Sequence, residues 1–188
     1  MLQQSVSPVI VKEKQERQIW SPPPLNHFKL NMDAAFNLDT SEFAMGLIIR
    51  DCTGQSFAVK GRYFHGGIDC EQAECLAMKE AILWANECNL NNVILESDNL
   101  NVINSIKQTT SSVHWMNQGI IDDIKFFLSS SPNFVVNHVK ISANSVAHSI
   151  AKKASSDRTY FDYTCNIPED ISKLVWAEQH SVTISYVN

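Results

Sequence analysis

The sequence predicts an α/β domain built on a five-stranded mixed sheet, three antiparallel strands and then two parallel ones, with helices on its faces. Three observations point to it. Residues 28–64 hold three strand-like segments in succession, with a turn signal and no helical period between them. Beyond residue 70, short apolar runs alternate with stretches whose apolar residues recur at steps of three and four. Strands separated by a helix-length crossover are most simply parallel.

The elements follow in order. Residues 1–19 are polar and patternless and read as a loose arm; Trp20-Ser21-Pro22-Pro23-Pro24 is a stiff, extended linker, because three prolines fix φ and donate no backbone N–H. Phe28, Leu30 and Met32 alternate with Lys29, Asn31 and Asp33, the period of a strand with one apolar and one polar face. Residues 44–50 are almost wholly apolar, as a central strand requires. Asp51-Cys52-Thr53-Gly54 is a turn, and a third strand spans 55–64. After Gly66-Gly67 a long helix is predicted over 70–89, opened by Asp69 and Gln72 at capping-box spacing, with Ala73, Ala77, Ala81, Trp84 and Cys88 forming one stripe. Val93-Ile94-Leu95 is a short fourth strand, 100–107 and 115–128 are helices, and 134–139 is the fifth strand. A last helix begins near Ser142 or Asn144 and buries Val146, Ala147, Ile150, Ala151 and Ala154. The expected organisation is an arm and linker (1–26), one domain (27–157) and a tail (158–188) with weak strand-like or helical pieces.

Composition narrows the class. At 188 residues and 44% hydrophobic content, one domain with a sizeable core is expected. The longest apolar run, 43–49, is far short of the ~20 residues that a membrane span needs. The first residues lack a basic start followed by a long apolar stretch, so a secretory signal is not expected, and an intracellular protein of nucleus or cytoplasm is. Five cysteines (Cys52, Cys70, Cys75, Cys88, Cys165) without a C-x-x-C pair indicate reduced thiols, with neither a disulfide framework nor a zinc knuckle. The net charge of -5 is unevenly spread: residues 28–110 carry six basic and eleven acidic side chains, and residues 111–158 carry five and three. That acidic excess is either a solvated surface or a carboxylate cluster that gathers cations.

Three acids favour the cluster. Asp33 lies late in the first strand, Glu74 in the first turns of the long helix, and Asp98 at the carboxyl end of the fourth strand, where open α/β sheets place their ligand crevices. Each alone has an ordinary explanation: a polar-face strand residue, a charge at a helix N-terminus, a helix cap. Together they can converge on the sheet centre. Carboxylates held together raise one another's pKa unless cations share the site, and oxygen-only ligands favour Mg²⁺ or Mn²⁺.

The segments W-S-P-P-P, K-L-N-M-D-A-A (29–35), G-L-I-I-R-D-C-T-G (46–54), Q-A-E-C-L-A-M-K-E-A (72–81), L-E-S-D-N (95–99), and H-V with N-S-V-A-H-S-I-A-K-K-A (138–154) together resemble the ribonuclease H fold, and more narrowly the plant reverse-transcriptase-like, retroelement-related ribonuclease H domains. The resemblance runs from about residue 20 to 155. It makes Asp33, Glu74 and Asp98 the first three catalytic, metal-holding carboxylates. Asn144 matches the Asn of the family's N-x-x-A-D step, but His148 stands where its fourth acid belongs, and Ile141-Ser142 replaces the Arg-Glu step common in the plant domains. His148 is either a ligand and proton shuttle or an exposed helix residue off the apolar stripe. His138 stands where the family keeps an auxiliary histidine, or is simply a histidine at a strand end.

The resemblance implies a metal-dependent endonuclease that hydrolyses the RNA strand of RNA/DNA hybrids with two Mg²⁺ ions (Mn²⁺ as an alternative) ~3.5–4 Å apart, leaving 5′-phosphate and 3′-hydroxyl ends. RNA would be identified by its 2′-OH and its shape, with Ala34, Cys70, Asn99 and Asn144 as substrate-binding positions. A monomer without a membrane partner or small-molecule cofactor is expected. The 39 residues between Asp98 and His138 hold only Lys107 and Lys125 as basic side chains, so the DNA-gripping basic protrusion of many relatives is expected to be missing, and affinity to be modest and salt-sensitive. The rival expectation is a catalytically weak or inactive retroelement-derived module that binds nucleic acid or protein. A third is another nuclease on the same fold, an exonuclease or an integrase; the N-x-x-A step and the helix order favour ribonuclease H.

Overall fold

The computed structural model describes residues 18–164 and 166–184. Residues 1–17, most of the expected arm, lie outside the described residues, as do Cys165 and the last four positions of the expected tail. The chain builds β1 (Phe28–Asn37), β2 (Glu42–Arg50), β3 (Ser56–His65), α1 (Cys70–Glu87), β4 (Val93–Ser97), α2 (Leu100–Lys107), α3 (Gln118–Ser129), β5 (Phe134–His138), α4 (Ser145–Asp157), β6 (Phe161–Thr164) and α5 (Glu169–Ile184).

The sheet has six strands in the order β5-β4-β1-β2-β3-β6, which corrects the expected five. The extra strand comes from the segment read as tail: Phe161 and Tyr163 alternate with polar residues, and β6 runs antiparallel along the otherwise open edge of β3. Gly61 makes room for it, because a Cβ there would overlap the Phe161 ring. β1, β2 and β3 form an antiparallel meander, while β4 pairs with β1 and β5 with β4 in parallel. The third helix starts at Gln118 rather than Trp115, because residues 115–117 make a single 3₁₀ turn first.

The sheet separates two apolar clusters. On one side Leu30, Met32, Leu47, Ile49 and Leu95 pack against the α1 stripe of Ala73, Ala77, Ala81 and Trp84, with Ile121 and Ile124 of α3 behind. On the other side Ala44, Ile48 and Val59 pack against Val146, Ala147, Ile150 and Ala154 of α4, and against Phe161, Ile171 and Val175. Small residues at every turn of α1, and Gly46 under α4, let both helices lie close to the sheet. A Cβ at Gly46 would overlap the Ala147 carbonyl and the Ala151 nitrogen of α4. Gly46 is also the cross-strand partner of Asp33, so the closest approach of α4 to the sheet falls beside that carboxylate.

Candidate metal centre

Strand, helix and turn each deliver one acid to the same place. On β1 the side chains of Lys29, Asn31 and Asp33 share one face, and Asp33 is 4% exposed. Glu74 sits one turn into α1, which starts where Asp69 accepts a hydrogen bond from the Gln72 N–H at 2.6 Å; Gln72 reaches back to accept from the Ile68 N–H at 3.0 Å. Asp98 follows directly on β4. It does not cap the next helix, since Asn99 Oδ1 accepts from the Val102 N–H at 3.1 Å and does so instead. One carboxylate oxygen from each of Asp33, Glu74 and Asp98 lies within 4.8 Å of the others.

The electrostatics of this cluster are unfavourable as they stand. Burial, and then the Asp98 charge, pushes the Asp33 carboxyl up to about 6, against the opposing hydrogen bond from His148. Burial, and then the charges of Asp33 and Asp98, holds Glu74 well above the usual carboxylate range. Glu74 Oε2 is buried with no hydrogen-bond partner. An unpartnered buried carboxylate oxygen beside two more carboxylates needs positive charge, and an oxygen-only donor set suits a hard divalent cation. The residues present therefore fit a metal of that class.

The two histidines lie at the edge of this cluster, outside the set whose ligand atoms converge. His148 lies one turn into α4, and its Nδ1 is 2.8 Å from Asp33 Oδ2. His138 is exposed at the end of β5, with a ring nitrogen 3.2 Å from the Asp98 carbonyl oxygen. The remaining substrate-binding candidates are less alike. Ala34 is buried beside Asp33. Cys70 is exposed at the first position of α1, and its thiol is pushed up by local desolvation and then by Glu74, Asp33 and Asp98. Asn99 is engaged as a cap. Asn144 is 1% exposed, and its amide is used internally: Nδ2 donates to the Met32 carbonyl at 2.9 Å, and Oδ1 accepts from Asn31 at 3.4 Å.

Below the acids lies a polar network the sequence reading did not single out. Asn31 Oδ1 accepts from the Trp20 indole at 3.0 Å and from Arg50 Nη2 at 2.7 Å, and Asn31 Nδ2 donates to Glu96 at 2.9 Å. Arg50, fully buried, stacks on Trp20 with 3.5 Å to the ring centroid and pairs with Glu178 of α5. Lys29 pairs with Glu96 at 2.9 Å. The signal was present: Arg50 follows an apolar run from Phe43 to Ile49 at the end of β2, and a guanidinium there needs a buried partner.

The sheet order, the two helical layers and the acids on β1, in α1 and directly after β4 define a ribonuclease H-like α/β domain. The chain belongs to the reverse transcriptase-like family, whose match covers residues 31–154. No curated protein matches it. Among solved structures it is similar to ribonuclease H1 from the halophilic archaeon Halobacterium salinarum, at 19% identity over 70% of this chain and 98% of that one, with a TM-score of 0.64. LC11-RNase H1, isolated from compost by a metagenomic approach and solved with an RNA/DNA hybrid, matches at 14% identity over 70% and 98% with a TM-score of 0.63. The foamy viral protease-reverse transcriptase in complex with RNA/DNA hybrid matches at 16% identity and a TM-score of 0.57, over 80% of this chain but only 22% of that one.

Proposed function

We propose that this domain is a metal-dependent endonuclease that cleaves the RNA strand of RNA/DNA hybrids. The observation that carries the reading is the convergence of Asp33, Glu74 and Asp98 with a buried, unpartnered Glu74 oxygen. Two of the similar structures were solved with such a hybrid, which supports the choice of substrate. The segments from W-S-P-P-P to L-E-S-D-N favour the plant retroelement-related subset, acting in nucleus or cytoplasm as a monomer, with residues 27–157 as the catalytic unit.

In this reading Asp33, Glu74 and Asp98 hold two Mg²⁺ or Mn²⁺ ions. When bound, divalent cations supply positive charge that favours ionisation of an attacking water and stabilises the departing 3′ oxygen. Asp33 and Glu74, raised while bare, become fully ionised ligands once that charge is in place. His148, hydrogen-bonded through Nδ1, keeps Nε2 to accept or release a proton. Were Nε2 instead to ligate in place of a fourth acid, it would be a softer donor that tilts the site toward Mn²⁺ and would give up the proton-transfer role. His138, exposed beside the Asp98 backbone, relays a proton at the mouth. Ala34, Cys70, Asn99 and Asn144 line or support the path of the sugar–phosphate backbone. Purified protein with Mn²⁺ should nick the RNA of a hybrid to 5′-phosphate and 3′-hydroxyl ends and spare single-stranded DNA, while Asp33→Asn should not nick it.

A second reading follows from the His148–Asp33 contact. If imidazole takes the place of cations at Asp33, the domain is a retroelement-derived binding module for nucleic acid or protein. Folded protein with no hybrid cleavage in either metal would select this alternative, and robust cleavage would end it.

A further inference from the structure

Asn144, the N-cap of α4, and His148 within it are four residues apart, and Asn31 and Asp33 are two apart on β1. Four helical residues rise ~6 Å and two strand residues ~6.6 Å, so helix and strand keep step along this stretch. Asn144 is bonded to the Asn31 side chain and the Met32 carbonyl, and one turn on His148 meets Asp33 at 2.8 Å. Asn144 is therefore the point that sets the α4 register against β1. Its carbonyl also accepts from the His148 N–H at 3.1 Å, the first turn of the helix.

Asn31, the partner of Asn144, is itself held from three sides. Trp20 and Arg50 donate to its oxygen, and Glu96 accepts from its nitrogen. Arg50 is 0% exposed, and its carboxylate partner, Glu178, lies on α5. Trp20 covers the guanidinium, and Ser145 at the start of α4 donates to the other Glu178 oxygen at 2.9 Å. Trp20 and Glu178 both lie outside residues 31–154, the stretch shared with the family.

We propose that Trp20, Asn31, Arg50, Asn144 and Glu178 form a register lock, in which segments flanking the family core act as positioning residues that hold His148 against Asp33. The lock rests on the metal-site reading only for its consequence in metal binding, not for its geometry. Without Asn144 Nδ2, α4 loses its tie to the Met32 carbonyl beside Asp33. Without Glu178, buried Arg50 loses its direct ion-pair partner, and the guanidinium that donates to Asn31 is no longer held in place.

The test is nuclear magnetic resonance of the His148 ring in metal-free protein, paired with Mn²⁺ titration by calorimetry. Asn144→Ala and Glu178→Gln are compared with Leu90→Ala, a core truncation at the far end of α1 that destabilises without touching the network. The expected result is loss or displacement of the His148 Nδ1–H signal in the first two variants and its retention in Leu90→Ala. Mn²⁺ affinity should fall about tenfold or more in the lock variants alone, the usual scale for residues that orient ligands. The double variant Arg50→Met with Glu178→Leu removes the buried charge with its partner, and the Arg50–Asn31 bond with them, so it should displace the signal as well; a retained signal there would overturn the part given to Arg50 and Glu178. An unchanged His148 signal in both lock variants, or an equal change in Leu90→Ala, would overturn the proposal. If wild type binds no Mn²⁺, the function proposed above fails while the ring signal still tests the lock.

Discussion

At the scale of single residues, the centre is a set of carboxylates whose ionisation the fold opposes. Asp33 is raised from an ordinary 3.8 to about 6, so folded protein binds its proton more tightly than unfolded protein does. Its contribution to stability is therefore fully present below pH 3.8 and lost as pH rises through 6. Metal-free protein should gain on the order of 1–3 kcal/mol at this site between pH 7 and pH 4. Urea unfolding in EDTA checks this, with Asp33→Asn as reference: the variant should be the more stable protein at pH 7 and should lack this part of the gain at low pH. An equal gain in both proteins would mean that the Asp33 charge is not strained. The three acids were legible only as a set: each alone has an ordinary explanation, but the predicted order of strand, helix and strand lets all three converge on the sheet centre. His148 was legible only as a departure from a family pattern. Its contact with Asp33 depends on how closely α4 approaches the sheet, which no local spacing reports.

At the scale of elements, that approach is set by Gly46. A methyl group there would meet the Ala147 carbonyl and the Ala151 nitrogen, so helix or strand must move. Gly46→Ala should cost about 1–3 kcal/mol, the usual range for overpacking, and should separate His148 from Asp33. Thermal unfolding together with the His148 ring signal checks both. A variant with wild-type stability and signal would show that α4 does not need the glycine. Strands β1 to β3 and helices α1 to α4 were readable from their apolar patterns and turn signals, and β4 and β5, five residues each, as short apolar runs between helices. β6 was not, because four residues carry too little alternation, and only the open edge of β3 and the gap at Gly61 select them. α5 was readable only as a weak helical piece of the tail: among its described side chains the buried ones are Ile171 and Val175, with Glu178 held through the charge of Arg50 on another element.

At the scale of the whole molecule, a net charge of -5 has to be reconciled with a polyanionic substrate. Part of that charge is the three-acid centre, which bound cations would neutralise. The stretch between α2 and α3 carries no basic protrusion; it is folded back on α1 by Glu71, which accepts from the His114 N–H at 2.7 Å and from Asn117 at 3.1 Å. Few phosphates can then be neutralised by side chains. Hybrid binding followed by fluorescence anisotropy between 50 and 200 mM salt should give a log–log slope of only about -2 to -3, and a slope near -8 would contradict that expectation. Among the described residues no helix is long and apolar enough to cross a membrane. The most direct measurement is cleavage of an RNA/DNA hybrid labelled on its RNA strand, by wild type, Asp33→Asn and His148→Asp side by side in Mg²⁺ and in Mn²⁺. The account predicts RNA cleavage by wild type that is stronger in Mn²⁺, at least a ~10²-fold loss in Asp33→Asn, and a shift of preference toward Mg²⁺ in His148→Asp. Intact RNA with wild type in both metals, or equal cleavage by Asp33→Asn, would contradict it.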